Sequence, residues 1–152
     1  MQILSKPGSL ALFFAAAVAL GAAVVDDGAE PESPKPKTMQ IQYLEIVTPE
    51  VEATCKALAG AHGATFSEPV AELGNARTAT LAGGGRIGVR APMRDTEAPV
   101  ARPYVLVEDI EAATAKAREA GAEFALTATE IPGQGTFAIY VLGGIEHGLW
   151  QL

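Results

Sequence analysis

The sequence predicts an α+β fold in which two tandem βαβββ modules form a curled mixed sheet, or half-barrel, with the helices outside. Three observations predict it. Strand-like and helix-like patterns alternate from residue 39 onward, the same order of elements occurs twice, and glycine-rich turns recur at a constant spacing. The chain has 152 residues, and we expect one domain at 39–152 with modules at 40–92 and 101–152.

The first module begins with an apolar stretch of strand length at residues 41–47. A helix is predicted at residues 50–61, because Val51, Cys55 and Leu58 recur at helical spacing and Pro49 favours a helix start. Cys55 therefore belongs to the core of the domain rather than to a reactive site. Three further strands are predicted between glycine-containing turns, at residues 65–73, 76–82 and 86–91.

The second module repeats this order. A strand at residues 102–107 leads to Asp109, a favourable N-cap for a helix at residues 110–120 that Gly121 ends. Three strands follow at residues 124–130, 136–142 and 145–151.

The turn glycines of the two modules correspond to each other. Matching glycines lie 60 residues apart, namely Gly83, Gly84 and Gly88 in the first module and Gly143, Gly144 and Gly148 in the second. A module of about 55 residues is marginal alone, so we expect the two to share one sheet. The concave side of such a sheet is the natural place for a ligand.

The first 38 residues differ from the rest. Residues 1–25 contain one lysine and then an apolar run, at 10–25, in which 15 of 16 residues are apolar. This pattern predicts a signal peptide or an N-terminal membrane anchor, with the domain exported to the periplasm or facing outside. Alternatively, Met39 is the true start and the protein is cytoplasmic. Residues 26–38 contain three prolines and form a linker.

Composition excludes several classes of function. The chain has 11 basic and 18 acidic residues, a net charge of −7, and no clustered cations for nucleic acid. Its single cysteine excludes an intrachain disulfide framework and a cysteine-rich zinc site. We expect a small-molecule partner, membrane contact only through the N-terminal segment, and a homodimer.

The paired modules and the closing segment GIEHGLWQ, at residues 144–151, resemble the vicinal oxygen chelate superfamily. That group includes glyoxalase I, extradiol dioxygenases and bleomycin-resistance proteins, and the resemblance covers residues 40–152. It implies metal ligands, His or Glu, in the first and last strands of each module.

This chain departs from that ligand pattern. Gly148 and Gly88 stand where the resemblance implies a carboxylate, and Arg102 stands where it implies a histidine. The remaining implied ligand, in the first strand of the first module, falls on Gln42 or Tyr43. An arginine does not bind a metal ion, so no cofactor is predicted, although a divalent metal held by relocated ligands stays open.

Strand alternation indicates which side chains face the cleft. If Glu45 faced the helix, its carboxylate would be buried without a partner, so we place Leu44 and Ile46 beneath the helix. The same alternation applied to the other strands predicts a mixed aromatic and charged lining: Tyr43, Glu45, Arg90, Arg102, Tyr104 and Trp150. We expect His147 to face away from it, and His62 to lie in a loop.

Three functions are compatible with this pattern. The first is a metal-free protein that binds a flat or amphipathic organic molecule, in which an arginine can take an acidic group. The second is a lyase, isomerase or dioxygenase of the same superfamily, with Glu45 or Glu146 as base or metal ligand. The third is a dimeric interaction module without a ligand.

Overall fold

The computed structural model describes residues 38–152. The predicted signal peptide or anchor and nearly all of the predicted linker lie outside the described residues. Within the described part, no helix is long and apolar enough to cross a membrane.

Seven strands and two α-helices make up the described domain. In chain order they are β1 (Ile41–Val47), α1 (Val51–His62), β2 (Arg77–Thr80), β3 (Arg86–Arg90), β4 (Val100–Leu106), α2 (Ile110–Glu119), β5 (Glu123–Ile131), β6 (Gly135–Leu142) and β7 (Ile145–Gln151). A short 3₁₀ helix at Ala71–Leu73 precedes β2.

The strands form one open mixed sheet in the order β2-β3-β1-β4-β7-β6-β5. The first strands of the two modules, β1 and β4, pair antiparallel at its centre. On either side, β3 runs parallel to β1, and β7 runs parallel to β4. The two modules therefore share one sheet, and the predicted α+β fold class is confirmed.

One predicted strand is wrong. Residues 65–73 form an extended connection that ends in the 3₁₀ helix. It makes two separate contacts with the chain around β2: Ser67 N–H donates to the Thr78 carbonyl at 2.8 Å, and Val70 forms an isolated bridge with Ala76. Pro69, which lies between these contacts, lacks the backbone N–H that a continuous strand would donate to its neighbour. The first module consequently has three strands.

The helix ends follow from the sequence. The Asp109 side chain accepts a hydrogen bond from the Ala112 N–H at 3.0 Å, so it is the N-cap predicted for α2. Gly63 ends α1 with φ 67°, and its N–H donates to the Ala59 carbonyl.

The sheet carries a core on each face. Ile110 and Leu149 are buried beneath α2, which packs on β5, β6 and β7. Trp150, the residue after Leu149, points to the opposite face and packs with Tyr43 and Tyr104. This second face carries the candidate site.

Candidate ligand-binding site

The face opposite the helices holds a cavity of about 570 Å³. Its floor is polar and comes from β1, β3, β4 and β7 at the centre of the sheet. Its wall comes from β5, β6 and the segments before β2 and β4. The wall is mostly apolar, although Glu72 and Arg94 also belong to it, and its large apolar residues are Leu73, Met93, Leu126, Ile131, Phe137 and Ile139. A ligand in this cavity would therefore meet charged groups on one side and apolar side chains on the other.

Four charged residues of the floor, together with Glu97 from the segment before β4, form a linear series of ion pairs, which we call the ion chain. Its members alternate in sign along the series: Glu97, Arg90, Glu45, Arg102 and Glu146. Both guanidinium groups and the central carboxylate are buried. Such burial is tolerable because each charge is paired and hydrogen-bonded.

Glu45 is the centre of the ion chain. Its Oε1 accepts from Arg90 Nε at 2.6 Å, and its Oε2 accepts from Arg102 Nη1 and, at 3.0 Å, from the Tyr104 hydroxyl. Glu45 and Arg102 are direct partners in the antiparallel register of β1 and β4. The side chain faces the cavity, and its burial is compensated by its bonds to Arg90, Arg102 and Tyr104.

The two ends of the ion chain differ. Both oxygens of Glu97 accept from Arg90, at 2.9 and 2.7 Å, and Oε2 also accepts from the Met93 N–H at 2.7 Å. Glu146 uses one oxygen, Oε2, for both Arg102 Nε, at 2.9 Å, and Arg102 Nη2. The Glu97 side chain is 13% exposed and that of Glu146 is 40% exposed. The Glu97 end is closed, and the Glu146 end is open to the solvent.

The hydrogen bonds from Arg90 lower the pKa of Glu97 from 4.5 to about 2, and the backbone N–H of Met93 adds to the effect. Burial also raises the pKa of the Tyr43 and Tyr104 phenols. Glu97 is therefore charged and both tyrosines are neutral at physiological pH.

Three aromatic rings pack together under the cavity. Trp150 lies 5.2 Å from Tyr43 and 5.6 Å from Tyr104, measured between ring centroids. The indole is 1% exposed, and its N–H donates to the Gln134 carbonyl at 3.0 Å. Trp150 thus supports the lining rather than belonging to it, since it packs against both tyrosines but is not among the residues that line the cavity.

Two glycines make room for the tyrosines. A Cβ atom at Gly88 would overlap the Tyr43 hydroxyl, and a Cβ atom at Gly148 would overlap the Tyr104 ring. The Tyr104 hydroxyl bonds to Glu45, whereas among residues 38–152 the Tyr43 hydroxyl has no hydrogen-bond partner. The Tyr43 hydroxyl is therefore enclosed between its own strand and Gly88, and it is an exception to the rule that buried polar groups are hydrogen-bonded.

The predicted site residues are largely brought together. The cavity is lined by five of the six predicted lining residues, the exception being Trp150, and by the catalytic candidate Glu146. Glu97 was missed, because it lies in a loop where no periodicity marks the direction of a side chain. The apolar wall was missed as well, since its position depends on how β5 and β6 extend the sheet.

Neither histidine belongs to the cavity lining. His147 stacks on Tyr140, with 5.3 Å between ring centroids, and His62 is exposed at the end of α1. Among the described residues, no group of three or more His, Cys, Asp or Glu side chains is arranged to hold a metal ion.

No protein-family model matches the sequence, and no curated protein does either. The hypothetical protein BH1468 from Bacillus halodurans C-125 is similar in structure, with a TM-score of 0.60 and 12% identity, over 76% of this chain and 96% of that one.

Methylmalonyl-CoA epimerases are similar as well. The enzyme from Mycobacterium tuberculosis has a TM-score of 0.56 and 16% identity, over 73% of this chain and 86% of that one. A variant of the Streptomyces coelicolor enzyme, in complex with 2-nitronate-propionyl-CoA, has the same score and identity over 76% of this chain and 98% of that one. At these identities the similarity establishes the fold alone. The described domain shares the α+β fold of these structures, which is consistent with the fold of the vicinal oxygen chelate superfamily.

Proposed function

We propose that the protein belongs to the vicinal oxygen chelate superfamily and binds a small amphipathic organic molecule in the cavity, without a divalent metal. A cavity of about 570 Å³ is within the usual range of small-molecule sites. The apolar part of the ligand would lie against Phe137 and Ile139, and its polar part would face the ion chain.

The metal-free proposal rests on the residues at the positions where the superfamily's metal enzymes have their ligands. The Tyr43 hydroxyl lies over Gly88, and the Tyr104 ring lies over Gly148. Aromatic groups thus fill the space where metal-binding side chains would project. A third position holds Arg102, a cation that has no lone pair for a metal. These residues do not fit a divalent metal ion.

An enzyme of the same superfamily is the second candidate, because some of the similar structures are epimerases. A general base needs a free lone pair directed at the substrate. Glu45 already accepts hydrogen bonds from three donors, so it is poorly suited. Glu146 is more exposed, and any proton transfer in the cavity would depend on it rather than on Glu45.

The test combines metal analysis with a ligand screen. The purified protein is measured for Zn, Ni, Fe and Mn, and a library of small organic acids, amides and alcohols is screened by thermal shift in the presence of EDTA. We expect less than stoichiometric metal, and compounds that raise the melting temperature in a saturable way.

A matched pair of variants locates the binding. Leu126 is 36% exposed in the cavity wall, and Leu142 is 39% exposed outside the lining. Leu126→Trp should fill the cavity and weaken binding of the screen's best compound about tenfold or more, or about 1.4 kcal/mol, whereas Leu142→Trp should not. Equal effects of the two variants, or a stoichiometric metal that is required for binding or turnover, would contradict the proposal.

We also propose that residues 1–25 direct the domain out of the cytoplasm, as an anchor or a cleaved signal. The apolar run that supports this proposal lies outside the described residues. Fractionation of the source cells and the mass of the mature N-terminus test it. A cytoplasmic protein that begins at Met39 would refute it.

A further inference from the structure

The unequal ends of the ion chain point to a specific anion subsite. Arg90 is enclosed, because Glu97 engages two of its nitrogens with two oxygens and is itself anchored by the Met93 N–H. Arg102 is held firmly on its inner side by Glu45 and the Tyr104 hydroxyl. On its outer side it meets only Glu146, through Nε and Nη2.

The outer pair is geometrically incomplete. A guanidinium edge presents two parallel N–H groups, which match the two oxygens of a carboxylate. Glu146 places one oxygen, Oε2, on both N–H groups. The Glu146 side chain is half-exposed, and the residue lies near the start of β7, just after the glycine turn Gly143-Gly144. It can therefore leave Arg102 for the solvent without breaking the sheet.

We propose that the outer edge of Arg102 is a carboxylate-binding subsite, which Glu146 occupies in the free protein and an acidic ligand occupies in the complex. The proposal rests on the proposed function, and it narrows the ligand to an organic acid with an apolar body. Arg102, Glu146 and the apolar wall residue Phe137 line the same cavity, so a ligand bound there reaches both features.

The exchange preserves the charge balance of the floor. The ion chain contains three carboxylates and two guanidinium groups. When a ligand carboxylate replaces that of Glu146, the buried Arg102 keeps two anionic partners and no buried charge is left unpaired. Glu146 is rehydrated as it leaves. The Glu146 carboxylate therefore competes with the ligand carboxylate for Arg102. This competition determines how strongly the site prefers an acid over a neutral analogue.

The experiment uses matched pairs of probes. The ω-phenyl carboxylates from phenylacetate to 6-phenylhexanoate, and the primary amide of each, are titrated into the protein by calorimetry. The phenyl ring suits the apolar wall, and the series varies the distance from the ring to the polar group. The two compounds of a pair differ only in the polar group. The carboxylate is charged and has two acceptor oxygens, whereas the amide is neutral and has one.

Glu146→Gln removes the competing charge and is compared with Glu130→Gln, which removes one charge from an exposed position outside the lining. We expect Glu146→Gln to tighten the binding of the acids about tenfold and to leave the amides within about twofold. Glu130→Gln should change neither class. The melting temperature and circular dichroism of each variant check that it is folded.

The outcomes separate this proposal from the proposed function. If no probe of either class binds in a saturable way, the proposed function itself is contradicted. If acids and amides bind, but Glu146→Gln changes both equally or changes neither, the cavity binds ligands and the Arg102 subsite is overturned. An equal gain in Glu130→Gln would also overturn it, because the effect would then be one of overall charge.

Discussion

Tyr43 and Tyr104 lie side by side on the cavity floor, with 5.8 Å between their ring centroids, yet their hydroxyls have different surroundings. Tyr104 donates to the Glu45 carboxylate at 3.0 Å. Among the described residues, nothing accepts from or donates to the Tyr43 hydroxyl. An unpaired buried hydroxyl costs free energy, whereas one that bonds to a charged group stabilises the fold.

This contrast predicts opposite effects of the same substitution. Tyr104→Phe should lower the free energy of unfolding by about 2 kcal/mol, because a buried carboxylate loses a donor. Tyr43→Phe should leave the free energy of unfolding unchanged or raise it, since no hydrogen bond within the protein is lost. Urea denaturation of both variants measures the difference, and equal losses would show that the two hydroxyls are equivalent.

The pKa of Glu97 predicts how acid affects stability. Its pKa is about 2 in the folded protein, against 4.5 unperturbed, so folding favours the ionised form. The resulting stabilisation is complete above about pH 4.5 and is lost as the pH falls toward 2. It amounts to about 3 kcal/mol at most.

Denaturation curves between pH 7 and pH 2.5 measure this dependence. Glu97→Gln should be less stable at pH 7 and should lose less stability on acidification than the unmodified protein. Glu130→Gln, at an exposed position, serves as the control and should retain the full dependence. If Glu97→Gln keeps the same pH dependence, the Glu97–Arg90 pair does not stabilise the fold.

At the scale of elements, the sequence predicted strands best where side chains alternate between two cores. The bounds of β1 and β7 agree with the prediction, because Thr48-Pro49 follows β1 and the turn at Gly143-Gly144 precedes β7. The stretch at 65–73 also contains apolar residues, but Pro69 interrupts it and it forms no continuous strand. Alternation also placed Glu45, Arg90 and Arg102 on one face. It cannot place a loop residue such as Glu97, nor tell how deep Trp150 lies.

Glycines in a helix and in a strand are predicted to respond in opposite ways to alanine. Gly60 lies within α1, and a Cβ atom there would have no atom within 4 Å. Gly60→Ala should stabilise the protein by about 0.5–1 kcal/mol through helix propensity. Gly148→Ala should destabilise it by about 1–3 kcal/mol, because the Tyr104 ring must move.

Thermal or urea denaturation measures both substitutions, and the near-ultraviolet circular dichroism of the aromatic cluster reports on the second. A neutral effect of Gly148→Ala would mean that Tyr104 does not lie against this strand. Gly88→Ala, in the equivalent strand of the first module, should resemble Gly148→Ala because it faces Tyr43.

At the scale of the whole molecule, the site belongs to both modules. The central ion pair joins Glu45 of the first module to Arg102 of the second, across the antiparallel pair of β1 and β4. The repeated sequence pattern predicted that the modules share a sheet, but the cavity itself depends on their register. The homodimer stays a prediction, which sedimentation equilibrium tests. The proposed ligand binding needs no metal, since aromatic rings and an arginine fill the positions where the resemblance to the vicinal oxygen chelate superfamily implies metal ligands.

Metal-free binding of an organic acid in the cavity is tested by an NMR titration of the EDTA-treated protein with 4-phenylbutyrate. We predict saturable shifts of backbone amides around the cavity, including Leu73, Leu126 and Phe137, with a Kd that added Zn²⁺ does not change. Shifts that are absent, that lie elsewhere on the domain, or that occur only after Zn²⁺ is added would contradict it.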